Sequence, residues 1–223
     1  MNLFFLPFTA GLLLIGTLQA NPIAIDPSRR LVAMTAENVT ITMQTGASLV
    51  QGHYTFELQK DDWPEDADTH VIIFIPVLLP ANAGRQKHSS PRLKLGSRSF
   101  LGSIRHDLAP QGAPRSVEGM PKGWFLCNYE VIIPLHLLKQ AFTVEVSYSQ
   151  PHLPGNICGY VPMNPPKSPG ASRIRFVAGT GVALKRQGWL WRLPWSSSAA
   201  CLDFVPEDRR LICVRCVPQR PGY

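Results

Sequence analysis

The stretch Met34–Leu58, MTAENVTITMQTGASLVQGHYTFEL, decides the fold class. Val39, Ile41 and Met43 alternate with Thr40 and Thr42, the period-2 signature of a strand with one buried face. Thr45-Gly46 supplies a turn, because glycine takes positive φ without a steric penalty. Beyond it Val50, Tyr54, Phe56 and Leu58 point one way, with Gly52 among them, and Gln51, His53, Thr55 and Glu57 point the other. A slip of one residue would carry both aromatics to solvent, so the register is well specified. So short a connection returns the second strand antiparallel to the first.

The same alternation recurs downstream. Ala141–Ser149 places Phe142, Val144, Val146 and Tyr148 on one face, and Ser172–Ala178 alternates through Ile174 and Phe176. Gly179-Thr180-Gly181 then turns the chain into Val182–Arg186. Trp124–Pro134, Ile157–Val161, Trp189–Leu193, Leu202–Val205 and Leu211–Val217 read as further strands, about ten in all. Val71–Leu79, VIIFIPVLL, is apolar without alternation, as in a strand covered on both faces, and Pro76 limits its regular part to about five residues. Leu135–Gln140 has room for one short helical turn, and no long helical period follows the leader. The fold class expected is all-β: an antiparallel β-sandwich, immunoglobulin-like or related, with at most one short helix after the signal peptide.

The chain has 223 residues, 45% of them hydrophobic, enough for one sizeable β domain or two small ones. Its 21 prolines fall at nearly every gap between apolar runs, as short strands joined by turns require. Residues 1–20, MNLFFLPFTAGLLLIGTLQA, read as a secretory signal peptide cleaved before Asn21. Residues 21–223 then form a single exported domain, periplasmic or extracellular, with no transmembrane segment in the mature chain. Asn38-Val39-Thr40 matches a glycosylation sequon, which matters only in a eukaryotic secretory pathway.

Five cysteines, Cys127, Cys158, Cys201, Cys213 and Cys216, leave at least one thiol over if the rest pair. Cys127 and Cys158 sit at the ends of two strands read as neighbours and are the expected disulfide. Cys213-Val214-Arg215-Cys216 has the spacing of a redox or metal motif. It lies in strand-like sequence, where residues three apart point to opposite faces, and no second pair completes a zinc set, so structural cysteines are expected.

Charge is unevenly placed. The formal net charge is +7, and Arg85, Lys87, Arg92, Lys94, Arg98 and Arg105 supply six cations before the next acid, Asp107. Such a segment suits an anionic surface, polysaccharide or protein, or else a solvated loop and edge strand whose charge discourages pairing. It lacks the interleaved aromatics that stack on bases, so nucleic acid is not expected. Asp61, Asp62, Glu65, Asp66 and Asp68 form an acidic turn without the spacing of a calcium loop. Trp189, Trp191 and Trp195 offer an aromatic platform for sugar rings, although tryptophans that pack a β core are commoner.

Met34-x-x-Glu37-x-Val39-x-Ile41, then Ala47-x-x-Val50-x-Gly52-x-Tyr54-x-Phe56, resembles the opening of exported bacterial β-sandwich domains of unknown function. Val144-x-Val146-x-Tyr148 and Gly159-Tyr160-Val161-Pro162 are similar to their second half. The resemblance covers about half the mature chain, implies an extracytoplasmic setting and brings no catalytic residue with it.

No triad, nucleophile elbow, carboxylate pair or nucleotide loop is legible, and the six histidines lack metal-ligand spacing. The function expected is therefore non-catalytic: binding or structural association through the basic segment, with no catalytic residue, metal or cofactor. An extracytoplasmic hydrolase or thiol-dependent enzyme, its site gathered from distant loops, and a carbohydrate-binding module using the tryptophans are the alternatives.

Overall fold

The computed structural model describes residues 32–58, 70–80, 90–103, 120–162, 172–187, 199–206 and 211–219. The leader, the acidic turn, Arg85, Lys87, Arg105 and the tryptophans Trp189, Trp191 and Trp195 lie outside the described residues.

The opening hairpin forms as its alternation requires. Strand β1 (Val32–Met43) pairs antiparallel with β2 (Ala47–Leu58) through Met43↔Ser48, and Gly46 between them takes φ +80°. Val39, Ile41 and Met43 are buried, and so are Val50, Tyr54 and Phe56 on the facing strand. A bulge between Met34 and Ala36 shifts the parity of β1, so even-numbered Met34 and odd-numbered Val39 both face inward.

Among the described residues ten further strands complete the set: β3 (His70–Pro80), β4 (Arg92–Leu95), β5 (Arg98–Leu101), β6 (Trp124–Pro134), β7 (Ala141–Pro151), β8 (Ile157–Tyr160), β9 (Ser172–Ala178), β10 (Val182–Gln187), β11 (Cys201–Phe204) and β12 (Ile212–Pro218). A 3-10 turn, Leu135–Leu137, joins β6 to β7. No helix among the described residues is long and apolar enough to cross a membrane.

The strands form one seven-stranded sheet, ordered β11-β9-β1-β2-β7-β4-β5, and two smaller ones, β10-β12-β8 and β3-β6. The protein is an all-β sandwich, and its inward side chains from all three sheets share one core. Pairing is antiparallel except between β1 and β9, which run parallel, as the long connection between them allows. The Gly179–Gly181 turn carries the chain from β9 in the large sheet to β10 in the three-stranded one, so these strands exchange sheets rather than pair. Gly179 is close-packed there: a Cβ would lie 2.7 Å from the Met43 carbonyl oxygen.

Strand β3 runs through Pro76 for 11 residues, longer than the proline alone suggests. The reason is position. Pro76 lies opposite Asn128 in a two-stranded ladder, and its missing N–H falls on the edge that has no strand partner among the described residues. That edge is closed by side chains from the opposite sheet. The Tyr148 hydroxyl donates to the Pro76 carbonyl at 3.4 Å, and the Leu78 N–H donates to Gln150 Oε1 at 3.4 Å.

Aromatic bodies fill the core. Phe56 stacks on Phe142 with centroids 5.3 Å apart, and Phe176 meets Phe204 edge-on at 5.5 Å. Full burial, as at Phe56 and Phe176, contributes about 1.5–3 kcal/mol for each side chain, and half-buried Phe204 contributes less. A Cβ at Gly52 would collide with the Tyr54 ring, so the glycine provides the bed on which that ring lies.

Candidate functional site

Four polar side chains occupy inward positions of otherwise apolar strands: Glu37 on β1, Ser48 on β2, Gln150 on β7 and Ser172 on β9, none more than 2% exposed. Buried polar groups must be hydrogen-bonded to persist, and these are. Tyr160 on β8 donates to Glu37 Oε1 at 2.6 Å, and Ser172 donates to Oε2 at 2.9 Å. The Tyr54 and Tyr160 hydroxyls lie 3.2 Å apart. A phenol has one proton, and Tyr160 gives its own to the carboxylate, so Tyr54 is the donor in that pair. The result is a relay, Tyr54 to Tyr160 to Glu37, that crosses the sandwich from β2 to β8 and back to β1. Burial, with the Glu37 carboxylate next in size, holds the Tyr54 and Tyr160 phenols well above their usual range. These groups stay protonated, donate structurally and are enclosed between the layers.

Gln150 makes the second link. Its Nε2 donates to the Gly159 carbonyl at 2.6 Å while its Oε1 receives the Leu78 N–H, so one amide reaching across from β7 stitches β3 to β8. Gly159 is required at that seam. A Cβ there would meet Leu78, Leu153 and Leu211 at 2.9–3.1 Å.

At the hairpin end of the sandwich, Ser48 Oγ and His152 Nε2 are 2.8 Å apart, and the Cys158 thiol receives a long hydrogen bond from Gln150 Nε2 at 3.9 Å. His152 Nδ1 is buried without a partner. Leaving a lone pair unmet costs less than leaving an N–H unmet, which assigns the proton to Nε2 and makes Ser48 its acceptor. This serine–histidine contact has the distance of a catalytic dyad but not the access: Ser48 is 1% exposed and Cys158 is fully buried. Burial lowers the His152 pKa and pushes the Cys158 thiol up to about 12.

All five cysteines are free thiols in this structure, so the disulfide expected between Cys127 and Cys158 is not formed. Cys127 lies on β6 opposite Val77, and Cys158 on β8 opposite Val214, so the two belong to different small sheets. Cys213 and Cys216 point to opposite faces of β12. Cys213 packs on the Leu78–Leu126–Val161–Leu211 cluster and Cys216 in the main core. Burial raises Cys213 to about 11. Among the described residues no three His, Cys, Asp or Glu side chains converge to hold a metal ion.

The exposed chemistry lies on the outer face of the seven-stranded sheet. Register places Asp203, Arg175, Thr40, Gln51, Ser147, Arg92 and Leu101 in one row across all seven strands. The next row holds Arg173, Asn38, His53, Glu145, Lys94 and Ser99. Arg92 and Lys94, from the basic segment, point outward here because Leu93 between them is wholly buried. Arg98 pairs with Leu95 and so belongs to the other side of the β4–β5 hairpin. Two cations outside the basic segment, Arg173 and Arg175, join this face, flanking inward-facing Ile174 on β9. Their only signal in the sequence is that alternation around Ile174. Arg175 Nε donates to Asp203 at 2.7 Å, an exposed pair of little energetic weight. Lys94 stands opposite Glu145, while Arg92 and Arg173 make no ion pair among the described residues.

No protein-family model and no curated protein matches this sequence. Among solved structures, native leukotriene A4 hydrolase from Saccharomyces cerevisiae is similar over 89% of this chain and 30% of its own, with a TM-score of 0.47 and 6% identity. The chain therefore spans less than a third of that enzyme's length.

Proposed function

We propose that this protein is an exported, non-catalytic β-sandwich that binds an anionic partner through the outer face of its large sheet. The observation that carries the reading is the alternation around Leu93 and Ile174. Each is buried, and each throws two cations outward onto the same sheet face. Cations held on strands at fixed spacing are pre-organised for a charged partner, unlike cations on a loop. In support, the groups of the kind that do nucleophilic or acid–base work, Glu37, Ser48 and Cys158, are enclosed between the layers.

The test compares two double variants of equal net charge. Arg92→Glu with Lys94→Glu removes cations from the face. Lys122→Glu with Lys139→Glu removes exposed cations elsewhere. The first is expected to lose retention on heparin beads and phosphatidylglycerol vesicles and the second to keep it. Equal loss in both would mean that only the overall charge matters and would sink the reading.

A further inference from the structure

We infer that the outer face takes an extended acidic polysaccharide lying across the strands, an inference that rests on the anionic-partner reading above. The cations stand in two pairs, Arg173 and Arg175 on β9 and Arg92 and Lys94 on β4. Strands β1, β2 and β7 lie between them, so four strand spacings of ~4.8 Å separate the pairs by roughly 19 Å.

The floor between the pairs is almost free of apolar and cationic side chains. Asn38, Thr40, Gln51, His53 and Ser147 present amide, hydroxyl and imidazole groups, every one at an outward register position. A bilayer surface is recognised by a dense patch of cations with apolar side chains to insert; here the cations are split between two rims, and the exposed apolar side chains of this face, Leu49 and Leu101, stand singly on β2 and β5. An acidic polysaccharide alternates carboxylates or sulfates with neutral hydroxyls. Its charges suit the two rims, and its hydroxyls suit a floor of donors and acceptors. Glu145, which a purely anionic partner would avoid, becomes an acceptor for sugar hydroxyls, while Asp203 is held by Arg175.

The full exported chain is assayed for binding to alginate and heparin and, separately, to phosphatidylglycerol vesicles. Three variants accompany it: Arg92→Glu with Lys94→Glu, Arg173→Glu alone, and the floor variant Asn38→Ala with Gln51→Ala. Each reversed cation is expected to weaken polysaccharide binding about fivefold or more. The floor variant, with charge unchanged, is expected to weaken polysaccharide binding and leave any vesicle binding as it was. Vesicle binding without polysaccharide binding overturns this inference and leaves the anionic-partner reading standing. Binding to none of the probes overturns both. Polysaccharide binding insensitive to Arg173→Glu or to the floor variant overturns the assignment to this face. Denaturant midpoints of all variants, expected to match the wild type because every substituted position is at the surface, separate loss of binding from loss of fold.

Discussion

The Tyr160 hydroxyl donates to Glu37 Oε1 at 2.6 Å, joining β8 of the three-stranded sheet to β1, an interior strand of the seven-stranded one. Both residues are buried, and the bond lies in low dielectric where a lost partner is costly. Tyr160→Phe leaves the carboxylate short of one donor and the Tyr54 hydroxyl without its acceptor. The expected loss is about 1.5–3 kcal/mol, read as a lower urea midpoint with an unchanged slope. Tyr160→Phe with Glu37→Leu is expected to recover part of that loss, because removing both partners leaves no buried charge unmet.

The second layer has no backbone ladder between β3 and β8, and Gln150 stands in for one. Gln150→Leu keeps the volume and deletes both bonds. It is expected to cost about 1–3 kcal/mol and to speed hydrogen exchange at the Leu78 amide more than at amides of β1 and β2. Equal acceleration at all sites would mean that the amide contributes to global stability without holding this seam.

Gly52 and Tyr54 share one volume on the inward face of β2. Gly52→Ala forces the Tyr54 ring off its bed and strains its hydrogen bond to Tyr160, at an expected cost of about 1–3 kcal/mol. In Tyr54→Leu the same substitution is expected to cost far less, so the two changes will be non-additive in a double-mutant cycle.

Burial sets a pH dependence at His152. Its folded pKa is lowered from the ordinary 6.5, so the unfolded chain binds a proton where the folded one does not. Its contribution to stability is complete above about pH 6.5 and is lost as pH falls from there through the folded value. The difference in denaturation midpoint between wild type and His152→Gln is expected to shrink on going from pH 7.5 to pH 5. A difference constant over that range would show that His152 does not titrate on unfolding.

The thiols separate by exposure. Cys201 is exposed, whereas burial raises Cys158 to about 12 and Cys213 to about 11. Brief alkylation of the reduced native protein at pH 7.5 is expected to label Cys201 first, with Cys158 and Cys213 reacting only in denaturant. Peptide mass mapping checks the order, and rapid native labelling of Cys213 would reopen a chemical role for the Cys213–Cys216 spacing.

What the chain determines by itself is most of the strands and their faces, although the basic segment does not resolve into the β4–β5 hairpin from its own residues. Alternation of apolar and polar residues is a local property, so β1, β2, β7 and β9 are legible from their own residues alone. The alternation also holds a further signal. Glu37, Ser48, Gln150 and Ser172 interrupt the inward period of apolar strands, and a polar side chain in that place must find a buried partner. Which partner it finds is not legible, because Tyr160 and Glu37 lie 123 residues apart in the chain and meet only once β8 folds over β1. Sheet order is non-local for the same reason. Parallel docking of β9 on β1, the split second layer and the passage of Pro76 through an unpaired edge all depend on which strand lies beside which. The binding face shows both limits at once. Outward alternation on β4 and β9 follows from their own sequences, but only the tertiary register brings Arg92 and Lys94 onto the same face as Arg173 and Arg175, with a neutral polar floor between them.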